Sequence, residues 1–219
     1  MLNYVCEPYK ELKEVVQTFE EQLELFFSKD FETKTNKPKQ DENLGQVFTS
    51  PILAKFMIRL LKDNLKPNSS ILDPCIGPNT FFKAMTVDFS NCHLKGVEID
   101  INLITEEINK FYESPNRTLI KGSFFDLPIT EKFDQIIQNP PYVRQELLIE
   151  GANSKDSIRY NVSSPLSTIP SQSNLYIYFL LKSILHLKEG GIMVAVIYDS
   201  WLYSSFGKYL KESFLKLGR

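Results

Sequence analysis

From Ile71 onward the chain repeats one pattern: a short apolar run, a turn, an amphipathic stretch, then another short apolar run. Alternation between a two-residue and a 3.6-residue hydrophobic period specifies βαβ units, and such units pack as a parallel sheet covered by helices. The pattern predicts strands near Ser70–Leu72, Leu94–Ile99, Thr118–Gly122, Phe133–Gln138 and Ile192–Tyr198. Helices are expected near Thr80–Val87, Ile101–Tyr112, Leu175–Leu187 and Phe206–Leu217, with another after Pro51 running through Leu61. The fold class is therefore α/β, Rossmann-like, with a mostly parallel sheet flanked by helices.

The first forty or so positions break this rhythm. Between Tyr9 and Phe27, Leu12, Val15, Val16, Phe19, Leu23, Phe26 and Phe27 recur at three- and four-residue steps among Glu and Lys, the signature of an amphipathic helix. Residues 31–44 are polar and apolar-poor, as a linker would be. The expected organisation is an N-terminal helical extension and linker over 1–44 and a main domain over 45–219. A chain of 219 residues with 42% apolar content suits one α/β domain plus such an extension. Val143 to Ser173 forms a long, polar, Ser-rich stretch, and a loop of that length in a compact domain is usually functional or disordered.

Composition excludes several classes. Twenty-five basic and 27 acidic side chains leave a net charge of −2, so no global field marks a nucleic-acid binder, and any basic surface must be local. Cys6, Cys75 and Cys92 are unclustered, and neither they nor His93 and His186 have metal-ligand spacing. The expectation is no metal, reduced thiols and a cytoplasmic location. No segment reads as a secretion signal or a membrane span, so no membrane partner is expected.

In doubly wound sheets ligands bind beyond the carboxyl ends of the strands, so the residues there carry the functional information. The first such end is Asp73-Pro74-Cys75-Ile76-Gly77-Pro78-Asn79-Thr80. Gly77 and Asn79 tolerate the positive φ of a tight strand-to-helix turn, and Asp73 can accept a hydrogen bond from a cationic group such as an α-ammonium. The second end carries Glu98, twenty-one positions after Gly77, whose carboxylate can accept both hydroxyls of a ribose while Ile99 lies against the base. Asp100 suits a helix N-cap. The third end, Phe124-Phe125-Asp126-Leu127-Pro128, offers Asp126 to an exocyclic adenine amine and Phe125 or Leu127 as an apolar wall. Taken singly each is an ordinary turn; together they describe a nucleoside site.

The fourth end is Gln138-Asn139-Pro140-Pro141-Tyr142. Two prolines fix φ and remove backbone donors, which leaves the carbonyls around Pro140 free to accept. Asn139 adds a side-chain carbonyl and Tyr142 a flat apolar face. Such a site binds an –NH₂ group on a planar ring. Acceptors on both N–H bonds favour the attacking, pyramidal nitrogen, so Asn139, Pro140, Pro141 and Tyr142 are the candidate catalytic residues for displacement by an aromatic amine.

With Gly45-Gln46-Val47-Phe48-Thr49-Ser50-Pro51, Asp73 to Thr80, Gly96 to Asp100, and Asn139 to Glu146 in this order, the chain resembles the gamma-class adenine-N6 DNA methyltransferases of restriction-modification systems, of Type II or IIG kind, over about residues 45 to 210. The resemblance implies S-adenosyl-L-methionine as cofactor, the Rossmann-like fold of the methyltransferases that use it, and DNA, with its adenine flipped from the duplex, as substrate. It also implies that Phe48 and Thr49 line the methionine end of the cofactor, that Asp73 and Gly77 flank it, that Glu98 holds the ribose and that Asp126 meets the adenine. The candidate cofactor-binding set is then Phe48, Thr49, Asp73, Pro74, Cys75, Gly77, Asn79, Glu98, Ile99, Asp126, Leu127 and Asn139. Asn174-Leu175-Tyr176 and Ile197-Tyr198-Asp199-Ser200-Trp201 resemble later structural motifs of the family.

Two departures stand out. The family's Gly-x-Gly turn is Gly77-Pro78-Asn79 here, a change that left-handed asparagine accommodates. No target-recognition domain follows in the sequence, so target reading is expected from a second polypeptide or a missing C-terminal region. Three other readings stay open at this stage: methyl transfer to a protein glutamine, to a guanine amine in RNA, or a non-catalytic cofactor-binding subunit of a larger complex.

Overall fold

The chain divides into two compact units, Met1–Lys39 and Gln40–Arg219. The computed structural model describes residues 47–85, 87–143, 174–198, 207–208 and 210–212, all within the second unit. The expected N-terminal helix, the 31–44 linker, the boundary at 44/45, Arg144 to Ser173 and Asp199-Ser200-Trp201 lie outside the described residues.

Five strands form one sheet in the order β3-β2-β1-β4-β5: β1 is Ser70–Asp73, β2 His93–Glu98, β3 Arg117–Lys121, β4 Phe133–Gln138 and β5 Leu187–Ala195. Every pairing is parallel. The chain winds outward from β1 through β2 to β3, then returns to the other side of β1 with β4. That reversal puts a topological switch point between β1 and β4, where open α/β sheets hold their ligands.

Strand side chains alternate between the two faces. Ile71 and Ile137 join α1 (Pro51–Lys62) and α2 (Thr80–Ala84) in one core cluster, whereas Leu72 and Ile136 join α4 (Leu175–His186) in the other. The register carries this across strands: Ile71 lies opposite Leu94, and Leu72 opposite Ile136. The period-2 pleat thus sorts consecutive residues into two separate cores. α4, read as LYIYFLLKSILH, is apolar nearly all round and almost wholly buried. Buried Leu210, in the helical residues near the C-terminus, packs in the same cluster.

α1 starts where its sequence says it should. Ser50 caps it by accepting from Leu53 N, and Pro51 takes the first position, where its missing N–H costs nothing. At the far, amino end of the sheet, Asp134 accepts from both the backbone and the hydroxyl of Ser70, at 2.7 Å each, pinning β1 to β4.

Three expected elements need correction. The helix expected over Ile101–Tyr112 is two pieces, a 3-10 turn at Ile101–Leu103 and α3 at Glu106–Phe111. Both pieces have their own cap: Asp100 accepts from Asn102 N, and Thr105 accepts from Ile108 N. Two caps five residues apart favour two starts over one continuous helix. α2 ends at Ala84 and a separate 3-10 turn covers Val87–Phe89, where one helix to Val87 was expected. β5 begins at Leu187, directly after α4, rather than at Ile192, and ends at Ala195. Its Lys-Glu-Gly-Gly run reads as a turn in sequence. In the sheet it is an irregularity, Phe133 pairing with Leu187 and Gln135 with Ile192, and Gly190 takes φ +70° to make it possible.

Gly96, in β2, is required by packing. A Cβ there would collide with the Tyr112 hydroxyl and lie 2.7 Å from Ile76 Cγ2. Gly96→Ala is expected to destabilise the fold by about 1–3 kcal/mol, and adding Tyr112→Phe should recover part of that loss by removing the hydroxyl. Urea melts of the single and double variants measure both; a recovery of zero would place the clash elsewhere.

Candidate active site

All four informative segments stand at the carboxyl ends of their strands: Asp73 ends β1, Glu98 ends β2, the Phe124–Asp126 turn follows β3, and Asn139 follows β4. Residues 47–50 come in from the start of α1, with Ser50 extended. Segments ninety or more residues apart therefore meet at the switch point.

Asn139 is the joint. Its Nδ2 donates to the Val47 carbonyl at 2.7 Å and to Thr49 Oγ1 at 3.0 Å. A backbone carbonyl can only accept, so the –NH₂ must face Val47, and the orientation of the amide is decided. Its Oδ1 is then turned the other way, 3.1 Å from the Tyr142 hydroxyl. That hydroxyl also lies 2.8 Å from the Val196 carbonyl. It has one hydrogen and cannot satisfy both acceptors, so donation to Val196 leaves Asn139 Oδ1 free to accept elsewhere. Among the described residues no donor meets the carbonyl of Pro140, and Pro140 is buried. With the Tyr142 hydroxyl given to Val196, neither Asn139 Oδ1 nor the Pro140 carbonyl has another donor among the described residues. Burial raises the Tyr142 hydroxyl well above its ordinary range, so it acts as a neutral donor and an aromatic face. Its ring centroid is 4.2 Å from that of Tyr198 and 5.7 Å from that of Tyr176.

The first turn links to this joint through Cys75, whose thiol donates to the Asn139 carbonyl at 3.2 Å. Burial, with Asp73 and Glu98 nearby, keeps that thiol protonated. Gly77 and Asn79 have φ of +51° and +64°, the left-handed conformations expected of them. The Phe48 ring lies against Gly77, 3.6 Å from where a Cβ would stand. Asn79 is fully buried, and its Oδ1 accepts from Tyr112 at 3.3 Å, so it supports the turn from below.

The two carboxyls differ in surroundings. Glu98, 6% exposed, accepts from Gly77 N through one oxygen and from Asp100 N through the other, both at 2.8 Å. Burial still holds it above the ordinary carboxylate range, helped by the Asp100 charge and against the pull of the Asp100, Gly77 and Ile99 N–H groups. Each oxygen retains a lone pair for a further donor. Asp73 is 0% exposed; its Oδ1 accepts from Cys75 N at 3.1 Å, and its Oδ2 has no hydrogen-bond partner among the described residues. Burial pushes the Asp73 carboxyl up to about 8, with help from Glu98 and against the Cys75 N–H. A buried, orphaned carboxyl oxygen is costly unless a ligand donor completes it. The pair suits a ligand bearing an ammonium and a diol.

Ile99 is half exposed beside Glu98, available to a planar ring. Asp126 is exposed, and among the described residues no hydrogen bond ties its carboxylate to the other strand ends. Phe125 and Leu127, expected as an apolar wall, are core residues at 7% and 5% exposure, so they offer a ligand only the outer edge of the core. Sequence reasoning passed over Gly96 and Tyr112 beneath the turn, and Lys182 behind the third strand end. A single lysine in a twelve-residue apolar helix was the available signal for the last of these. Among the described residues no three His, Cys, Asp or Glu side chains group as a metal site, and no helix is long and apolar enough to cross a membrane.

Residues 85–217 match the family described as Eco57I restriction-modification methylase. The chain is 30% identical over 176 residues to the Type II methyltransferase M.HincII of Haemophilus influenzae, covering 80% of this chain and 32% of that protein. It spans about a third of the length of the first curated relatives it matches. Among solved structures, a type I restriction-modification methyltransferase subunit from Streptococcus thermophilus superposes with a TM-score of 0.60 at 19% identity, over 78% of this chain and 38% of that one. A Listeria monocytogenes protein assigned to the class I S-adenosylmethionine-dependent methyltransferases gives 0.59 at 17% identity, over 89% and 57%. These superpositions show the Rossmann-like methyltransferase fold.

Asp73 has a stability signature. Its carboxyl titrates near 8 when folded and near 3.8 when unfolded, so between those values the folded chain holds a proton that the unfolded chain has lost. The contribution of Asp73 is present below pH 3.8 and lost progressively as pH rises toward 8. Asp73→Asn should therefore become steadily more stable relative to the unsubstituted chain across that window, as read by denaturant melts at several pH values. A difference that does not change with pH would show that Asp73 is ionised in the fold.

Proposed function

The chain belongs to the Eco57I restriction-modification methylase family, and from that premise we propose that its strand-end site binds S-adenosyl-L-methionine and directs the methyl group to the N6 amine of adenine in DNA. The observation that carries this reading is the locked Asn139 amide, which turns Oδ1 away from the Val47 carbonyl at the sheet's switch point.

The residues present fit the cofactor. The orphaned Oδ2 of buried Asp73 suits the α-ammonium, the remaining lone pairs of Glu98 suit the ribose hydroxyls, and Phe48 and Thr49 border the same space. Pro74, Cys75, Gly77 and Asn79 shape the turn, while Ile99, Asp126 and Leu127 line the adenine end. When bound, the cofactor supplies a methyl group on a positively charged sulfur.

Asn139 Oδ1 and the Pro140 carbonyl accept the two N–H bonds of the target amine. An aromatic amine is a weak nucleophile because its lone pair is delocalised into the ring. Two acceptors favour the pyramidal nitrogen and stabilise the positive charge that develops on it as the new N–C bond forms and the S–C bond breaks. No base is needed before attack, and the surplus proton leaves afterwards to water. Pro140 and Pro141 keep the loop rigid, and Tyr142 faces the base. Holding the amine and methyl in line contributes the rest of the barrier reduction.

Adenine as the target, and the gamma class, rest on the runs Gly45–Pro51 and Asn139–Glu146. A duplex adenine must leave the stack before its amine can react, and base edges are read in the grooves. We assign target recognition to a second polypeptide or to a further region of the protein, consistent with a match that spans a third of the relatives' length. The enzyme then works on DNA in the cytoplasm.

Asn139→Ala should leave S-adenosyl-L-methionine affinity nearly intact while lowering tritiated-methyl transfer to duplex DNA by about 10²–10³-fold. Calorimetry and the transfer assay on the same preparation separate the two. Equal loss of both would make Asn139 a cofactor ligand first, and an unchanged transfer rate would remove it from the chemistry.

A further inference from the structure

Lys182 sits in the middle of α4 and is 2% exposed. Its Nζ donates to the carbonyl of Phe125 at 2.8 Å and to that of Leu127 at 2.9 Å, the residues on either side of Asp126. The ammonium also lies 5.5 Å from the centre of the Phe124 ring. Among the described residues no carboxylate hydrogen-bonds it; the carbonyls, the ring face and the more distant attraction of Asp126 stabilise its charge.

Burying an ammonium in this way is costly, and a methionine of similar length would fill the space without that cost. The core therefore gives no reason for a lysine. The turn gives one. Phe124–Asp126 is a single 3-10 turn with three local contacts among the described residues: Phe125 N to Ser123 Oγ, Asp126 N to Ser123 O, and Leu127 N to Phe124 O. Isolated turns of this kind have weak hydrogen-bond geometry. Lys182 adds two charge-assisted bonds from the core side, fixing the backbone before and after Asp126 while the carboxylate stays exposed.

We propose that Lys182 is a positioning residue that holds the Asp126 carboxylate in place and so sets the site's preference for a 6-amino purine over a 6-oxo purine in the cofactor. This rests on the reading of Asp126 as the acceptor for the adenine amine. A carboxylate rewards an N–H donor and repels a carbonyl oxygen, but only when its position is fixed to within a fraction of an ångström. Burial lowers Lys182 to about 8, and even the neutral amine keeps two N–H bonds for its two carbonyls, so the brace survives deprotonation.

The test compares calorimetric binding of S-adenosyl-L-homocysteine and its hypoxanthine counterpart, S-inosyl-L-homocysteine. It uses the unsubstituted chain, Asp126→Ala, Lys182→Met and the double variant, each checked for folding by circular dichroism. The unsubstituted chain should prefer the adenine ligand by about tenfold or more. Lys182→Met should reduce that ratio to less than about threefold, and the double variant should lose no more than Asp126→Ala does alone. A merely destabilised core would weaken both ligands alike and leave the ratio unchanged. Should Lys182→Met not fold, Lys182→Gln, which keeps an –NH₂ donor, is expected to retain an intermediate ratio. A full ratio in Lys182→Met, or ratios that fall additively in the double variant, would overturn the positioning role while leaving the cofactor reading intact. Binding of neither ligand to the unsubstituted chain would overturn both.

Discussion

The Asn139 amide cannot turn over, and that constraint organises the site. The Val47 carbonyl accepts only, so the –NH₂ faces it and Oδ1 faces the other way. For the contact to exist, Ser50 and Pro51 must start α1 where they do, and α1 must pack on the sheet face carrying Ile71 and Ile137. β4 must also lie beside β1, so that its end meets the turn after β1 through Cys75. A short proline-rich segment becomes a directed acceptor only because distant parts of the chain fix its one rotatable amide.

Around that joint the fold tolerates an expensive electrostatic arrangement. Two carboxyls are buried within reach of each other's charge, one fully enclosed with an unpartnered oxygen. In the absence of a cation, burial keeps Asp73 protonated at neutral pH. A ligand carrying positive charge would favour the ionised form, and its binding would then be coupled to proton release. The scaffold beneath is close-packed: Asn79 in a left-handed conformation, the Tyr112 hydroxyl against it, and a glycine at position 96 because nothing larger fits. An unpartnered carboxyl oxygen and two left-handed residues, Gly77 and Asn79, stand together at this strand end, although buried polar side chains also occur elsewhere in the sheet, as at Gln135.

Much of this was legible in the sequence. The alternation of short apolar runs with amphipathic stretches located all five strands, since a buried parallel strand leaves a compact Val/Ile/Leu signal. Gly77 and Asn79 announced a left-handed turn, and both take positive φ. What stayed hidden depended on tertiary partners. The start of β5 was concealed because Lys188-Glu189-Gly190-Gly191 has the composition of a turn, and only pairing with Phe133 makes it part of a strand. The split of the 101–112 segment turned on competition between caps at Asp100 and Thr105. Glu98's two backbone donors, the dependence of Gly96 on Tyr112, and the reach of Lys182 to carbonyls more than fifty residues away are contacts between elements, with no local signature.

On the proposed reading these strand ends deliver a methyl group to an adenine amine in DNA. Mass spectrometry of nucleosides from duplex DNA, incubated with the protein, its recognition component and S-adenosyl-L-methionine carrying a deuterated methyl, tests it most directly. The label is expected in N6-methyladenine, and its loss is expected with Asn139→Ala. Label confined to methylated cytosine, or found in protein or RNA and absent from DNA, would contradict it.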